Sequence, residues 1–253
     1  MTMLQPFVSQ TLNGAVWRLQ IDGETDIMCI EIRNEKDRQT SFAAVNLASG
    51  QVYFTSLTLP ERWLTGIENI YNGVLLLHYY KHETSPEHKS IIAVDATTST
   101  ELWSNYSLAF NHLSTNGPVA YNPGIQPKKL LLIDVLSGQT IRPYNTTLDK
   151  PLDNYIVIPE MIPAAQLIPG TLPEEPYGNM VHYLNHNSYR IVSLHTFKNG
   201  ALQQHLYIMD GSNVVYHDLL NQDIQKLQPE AFVLHKNALI YIKNRTEIKV
   251  LKL

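Results

Sequence analysis

The side chains best suited to chemistry in this 253-residue chain are its ten histidines and its carboxylates. They are densest where His78, His82 and His88 interleave with Glu83 and Glu87. Imidazole with carboxylate is the donor set of a divalent metal site, but a spacing of four residues brings ligands together only on a helix face. His78 ends an apolar strand, and the residues after it read as a solvated loop, so no metal is expected here. His182 and His186 share the spacing and the objection, because Asn185-His186-Asn187 reads as a turn. His182 is expected beside the mouth of a polar channel. His112 lies in Phe110–Ser114, which reads as a strand, and could face such a channel. There it would hold either a small ligand or ordered water.

Other chemistry finds little support. The chain has no Gly-x-Ser-x-Gly nucleophile turn and no glycine-rich phosphate cradle. The single cysteine, Cys29, sits in the apolar run Ile27-Met28-Cys29-Ile30 and reads as an inert core thiol. Asp95 and Asp134 sit at hairpin turns, where carboxylates bond to nearby backbone N–H groups. No catalytic residue, cofactor or metal is expected. A net charge of −4 gives no electrostatic case for nucleic acid or an anionic membrane. The longest apolar runs are too short to span a bilayer. With no disulfide framework and no signal-like start, a cytoplasmic location is expected.

The elements that must position these groups are strands. Short alternating or apolar runs follow one another, broken by Asn13-Gly14, Asp22-Gly23, Pro60-Glu61 and Asn72-Gly73. One hairpin recurs. Its clearest copy runs from Ala93 through Asp95 to Trp103, with weaker copies at Ala44–Phe54 and Leu132–Arg142. The signature residues stand 49 positions apart from Asn46 to Asp95 and 39 apart from Asp95 to Asp134. That interval suits a four-stranded propeller blade. Two further units read over Val181–Asp218 and Phe232–Leu253, and the last stops after three strands. The spare strand Phe7–Leu12 is expected to complete it, pairing with Glu247–Leu253, since an open edge is a liability. Leu219–Leu227 is the best short helix candidate, and reads equally as a loop. At this size roughly three quarters of the unfolded surface can be buried.

Half of the 14 prolines fall between Pro143 and Pro176. Proline cannot donate to a β-ladder, so no central strand is expected there. The stretch is nonetheless apolar, as in Tyr155–Ile158 and Met161-Ile162, and reads as an ordered loop packed on the domain. A degenerate sixth blade is the alternative. Tyr155, Ile158, Met161 and Ile162 are its candidate partner contacts.

The repeated hairpin resembles the tryptophan-docking repeat of quinoprotein-type β-propellers, Ala-x-Asp-x-x-Thr-Gly-x-x-x-Trp. Ala93, Asp95, Thr98 and Trp103 match, and Ser99 replaces the glycine. The second copy keeps Ala44 and Gly50 and ends on Phe54; the third keeps Asp134 and Gly138 but carries Arg142 at the aromatic place. The resemblance implies a propeller whose tryptophan packs between blades. The adjacent cysteines and calcium-binding carboxylates of the dehydrogenases have no counterpart here. The whole chain also resembles a family of small bacterial proteins of unassigned function, through Phe7, Asn13-Gly14-Ala15-Val16-Trp17 and Gly73–His78.

The sequence therefore implies an all-β single domain over 1–253: a five-bladed propeller of four-stranded antiparallel blades, with a proline-rich insertion at about 143–180. Its function reads as non-catalytic binding of an unknown protein or small molecule. The alternative is a hydrolase or small-ligand binder working through a central channel, in the manner of lactonase- or glycosidase-like propellers.

Overall fold

The structure, a computed structural model, describes residues 3–167, 172–229 and 231–253. Among these described residues the fold is all-β apart from one 3₁₀ turn, Ala164–Gln166, and every strand pairing is antiparallel. No described helix is long and apolar enough to cross a membrane. The chain forms two compact units, Met1–Leu12 with Tyr155–Leu253, and Asn13–Asn154.

Strand β1 (Val8–Thr11) belongs to the first of these. The second unit holds three four-stranded sheets in chain order. They are β2 (Ala15–Ile21), β3 (Ile27–Asn34), β4 (Gln39–Asn46) and β5 (Val52–Leu57); β6 (Thr65–Tyr71), β7 (Val74–Tyr80), β8 (His88–Asp95) and β9 (Glu101–Asn105); and β10 (Ala109–Ser114), β11 (Gly117–Tyr121), β12 (Leu130–Ile133) and β13 (Thr140–Pro143). Side chains alternate across a strand, so the middle sheet serves two cores. Leu75 and Leu77 pack with Cys29 and Phe42 of the sheet before, while Val74 and Leu76 pack with Ala120 and Ile133 of the sheet after. Strands covered on both faces read as continuous apolar runs, as Val74–Leu77 does, whereas the outer strands β5, β9 and β13 are only partly buried.

The repeated hairpins hold as expected. The Asp95 carboxylate accepts the Thr97 and Thr98 N–H groups at 2.8 and 2.9 Å, and Asp134 accepts that of Ser137 at 2.8 Å. The Thr97 and Ser137 hydroxyls, which donate to the same carboxylates at 2.6 and 2.7 Å, and then these N–H groups pull both carboxyls below the usual range. Trp103 donates its indole N–H to the Val135 carbonyl of the next sheet at 2.8 Å. In the third copy Arg142 forms a two-pronged pair with buried Asp149, at 2.7 and 2.6 Å.

The other unit holds two five-stranded sheets. One comprises β15 (Glu160–Pro163), β16 (Met180–His186), β17 (Tyr189–Lys198), β18 (Ala201–Asp210) and β19 (Asn213–Ile224). The other runs β1, β22 (Glu247–Lys252), β21 (Ala238–Lys243), β20 (Val233–His235) and β14 (Ile156–Val157). The expected pairing of the N-terminal strand with the last strand is present: Val8 pairs with Val250 and Thr11 with Glu247.

Two readings change. Leu219–Ile224 continues strand β19 rather than forming a helix or loop, because Leu219 and Ile224 pair with His205 and Leu202. The proline-rich stretch is more than a packed loop. It supplies edge strands β14 and β15, where a missing proline N–H costs no central ladder bond. Its Ala164, Leu167 and Leu172 cover one face of the β15–β19 sheet, against Val181, Val192 and Leu194. Residues 168–171, Pro169 among them, lie outside the described residues.

Candidate functional site

Among the described residues, one group of histidine and carboxylate side chains could hold a metal ion, and it is built on β6, β7 and β8. Glu68 comes from β6, His78 from β7 and His88 from the first position of β8. Two β-bulges place them. The β6–β7 bulge has Glu68 as its extra residue, and the β7–β8 bulge has its extra residue on β8, where Ser90 and Ile91 stand opposite His78. A bulge breaks the alternation of a strand and re-aims a side chain. The backbone beside the first bulge is held from the neighbouring sheet. The Ile67 N–H donates to Glu31 Oε2 at 3.0 Å, and Arg18 donates to the Ile67 carbonyl at 2.7 Å. Room for the second ring comes from Gly66, which pairs with His78. A Cβ on Gly66 would sit 3.0 Å from His78 Cε1 and 3.0 Å from Glu31 Oε2.

Both imidazoles face one carboxylate oxygen. His88 Nδ1 lies 2.8 Å from Glu68 Oε1 as a hydrogen bond, and His78 Nδ1 lies 3.3 Å from the same oxygen. The latter contact lacks hydrogen-bond geometry, so both ring nitrogens of His78 are buried without a hydrogen-bond partner. The two rings stack at 3.6 Å and 8°, and Tyr80 stands edge-on to both. His78 is fully buried, Glu68 nearly so, and His88 forms the rim with its side chain 28% exposed. Burial, then the neighbouring His88, Arg18 and Arg33, holds the His78 pKa down at about 2, so the ring is neutral at ordinary pH. Around the rim the Arg33 guanidinium, paired with Glu31 at 2.8 Å, lies 4.9 Å from the Trp17 ring and 5.3 Å from that of Trp63.

His88 is therefore a strand residue and not part of the polar loop. The carboxylate that meets these histidines is Glu68, not Glu83 or Glu87. Glu83 instead pairs with Arg38 and Glu87 with Lys81, both at the surface. His82 is exposed, its Nδ1 3.2 Å from Thr84 Oγ1. Glu68 carried no sequence signal, since a lone glutamate ten residues before a histidine is not a motif. Only the bulges bring it in.

The other sequence candidates lie elsewhere. His112 is part-buried, bonded to Asn111 at 2.7 Å and edge-on to Tyr144. His182 is buried on β16 with its Nε2 3.0 Å from the Pro229 carbonyl, which makes it an anchor for that segment. His186 meets Asn237 at 3.0 Å, far along the strand from His182. Tyr155, Ile158 and Met161 are exposed, whereas Ile162 is partly buried against the core of the β15–β19 sheet. Cys29 is wholly buried, and burial pushes its thiol pKa far up, as expected of an inert core thiol.

The model of a domain of unknown function, DUF4905, matches residues 21–103. Glu68, His78 and His88 all lie inside that stretch. No curated protein matches the chain. Among solved structures, BamB from Moraxella catarrhalis aligns at 7% identity and a TM-score of 0.26, over 93% of this chain and 84% of that one. A eukaryotic initiation factor aligns at 11% identity and a TM-score of 0.37, over 94% of this chain. The alignment spans about half of that factor's length, 52%.

Proposed function

We propose that this is a non-catalytic binding protein whose ligand site is the niche formed by Glu68, His78 and His88. One observation carries the reading: His78 is fully buried with both ring nitrogens unpartnered beside a carboxylate. Leaving a buried donor or acceptor unsatisfied costs about 1–3 kcal/mol. A phenylalanine would fill the same space without that cost. A ligand reaching past the His88 rim would satisfy those atoms, and the aromatic–guanidinium wall of Trp17, Arg33 and Trp63 borders the same end of the sheets.

In this reading the five sheets are blades of one propeller, β1 closes the last of them, and Trp103 docks one blade on the next as in quinoprotein-type propellers. The protein works in the cytoplasm of a bacterium. A second reading, protein interaction, rests on the exposure of Tyr155, Ile158 and Met161, at 55%, 71% and 54%.

Thermal-shift screening of the purified chain with a panel of small polar ligands and ions tests the niche. At least one should raise the melting temperature of the wild type and fail to raise that of Glu68→Gln. His78→Phe should be as stable as the wild type or more so, and deaf to the same compounds. If no compound separates wild type from the two variants, the niche is structural.

A further inference from the structure

We infer that the ligand of this niche is a divalent transition-metal ion, held by His78 Nδ1, His88 Nδ1 and Glu68 Oε1; this rests on the niche being a ligand site at all. Two imidazoles and one carboxylate are the donor set of zinc and of related first-row divalent ions. Harder cations such as magnesium and calcium prefer all-oxygen shells. The three donor groups already offer atoms within 4.8 Å of one another.

The distances can be compared with a bound ion. Metal–ligand bonds of about 2.1 Å at a tetrahedral centre place neighbouring donor atoms about 3.4 Å apart. His78 Nδ1 stands 3.3 Å from Glu68 Oε1, close to that value. His88 Nδ1 stands 2.8 Å from the same oxygen, so this pair must open by about 0.6 Å, with loss of its hydrogen bond. The stacked rings also direct their Nδ1 lone pairs side by side, and one ring must turn for the two to converge. His88 is the ring free to do so, because it is the partly exposed one. His78 and Glu68 are fixed by burial, by Gly66 and by the two bulges.

The charges are compatible with a cation. Arg33 is neutralised by Glu31, leaving the Glu68 carboxylate to the ion. Arg18 spends a donor on the Ile67 carbonyl. Three protein donors leave a fourth position for water or for an atom of a second molecule, as in open zinc sites. Tyr80, edge-on to the buried His78 ring at 4.6 Å, would help hold that ring while His88 turns.

The test uses the full chain after dialysis against a chelator. Zinc is titrated by calorimetry and cobalt(II) by visible absorption. The expected result is one ion per chain, ligand-field bands typical of tetrahedral or five-coordinate cobalt with nitrogen donors, and a rise in melting temperature. Glu68→Gln and His88→Ala should each weaken zinc at least tenfold and abolish the cobalt bands, while His82→Ala should leave both unchanged. Absence of zinc and cobalt binding by the wild type overturns the proposal, as does binding that survives in Glu68→Gln and His88→Ala. If metals fail but another small ligand still stabilises the wild type and not Glu68→Gln, the metal is wrong and the ligand site stands. If nothing separates them, both fall.

Discussion

Trp103 lies so close over Gly138 that a Cβ built on the glycine would sit 2.5 Å from indole Cδ2. The contact joins β9 of one sheet to the β12–β13 turn of the next, beside the bond from the indole N–H to Val135. Gly138 also holds φ at +71°, which few other residues adopt without strain. Gly138→Ala should therefore destabilise the protein through both overlap and strain. Trp103→Ala should cost about 3 kcal/mol, the lower end of the range for a large aromatic because the ring is only part-buried. The two changes should be non-additive in urea denaturation, since the overlap made by Gly138→Ala disappears once the ring is gone. Full additivity, or a Trp103→Ala cost below about 0.5 kcal/mol, would show that the ring is not a dock.

The pair of Arg142 and buried Asp149 predicts acid sensitivity. Asp149 accepts from Arg142, from Asn116 at 2.9 Å and from the Asn145 N–H at 2.8 Å. The guanidinium first, then the other donors, hold its carboxyl well below the ordinary value. A depressed acid stabilises the fold above its unfolded pKa of about 3.9 and ceases to do so as pH falls through the folded value. Melting temperature should thus drop below about pH 4 in the wild type. Asp149→Asn should be less stable at neutral pH, with a shallower fall on acidification. Parallel curves for the two proteins would refute the assignment.

His195 gives a window at higher pH. Its Nε2 accepts the Gln228 N–H at 3.0 Å, which requires the neutral ring. Burial first, then His182 and His205, lowers its pKa from 6.5 to about 4. The unfolded state therefore binds the extra proton first, and stability declines as pH falls from 6.5 towards 4. His195→Gln keeps an acceptor that does not titrate and should flatten that slope. Amide exchange at Gln228 should quicken in the same interval in the wild type only. An unchanged slope in His195→Gln would reject the link.

Removal of residues 1–13 strips β1 from β22 and bares that edge. It also removes buried Val8 and Leu12. The shortened chain should melt lower and aggregate faster on heating, as unpaired edges template association. Light scattering during a thermal ramp decides this; a curve that overlays the wild type would show that the pairing adds nothing.

The architecture was legible because its signals are local. Asp95, Asp134 and Asn46 bond to backbone two or three residues on, and Asn-Gly and Asp-Gly pairs mark turns, so a short window of sequence contains the whole interaction. Pairing of the N-terminal strand with the last one was also readable, because a three-stranded remainder left one edge open. The proline-rich stretch was half legible. Its prolines excluded a central strand, but only the partners of Ile156 and Met161 show that it edges two sheets.

The site was not legible in the same way. His78 and His88 stood out by type, yet the nearest glutamates in sequence, Glu83 and Glu87, turned out to pair with surface cations. Glu68 reaches the histidines because it is itself the extra residue of one bulge, and His88 meets His78 across a second bulge whose extra residue lies on β8, at Ser90–Ile91. A period of two read along the sequence does not reveal a bulge, because a bulge is defined by the strand opposite. The support of that bulge by Glu31 and Arg18 is likewise a contact between sheets, made 36 and 49 residues from Ile67 in the chain. Alternation and side-chain-to-backbone bonds set which strands and turns form, and both can be read along the chain. Which carboxylate meets which imidazole depends instead on register and on the packing of one sheet against the next, and neither can be read that way.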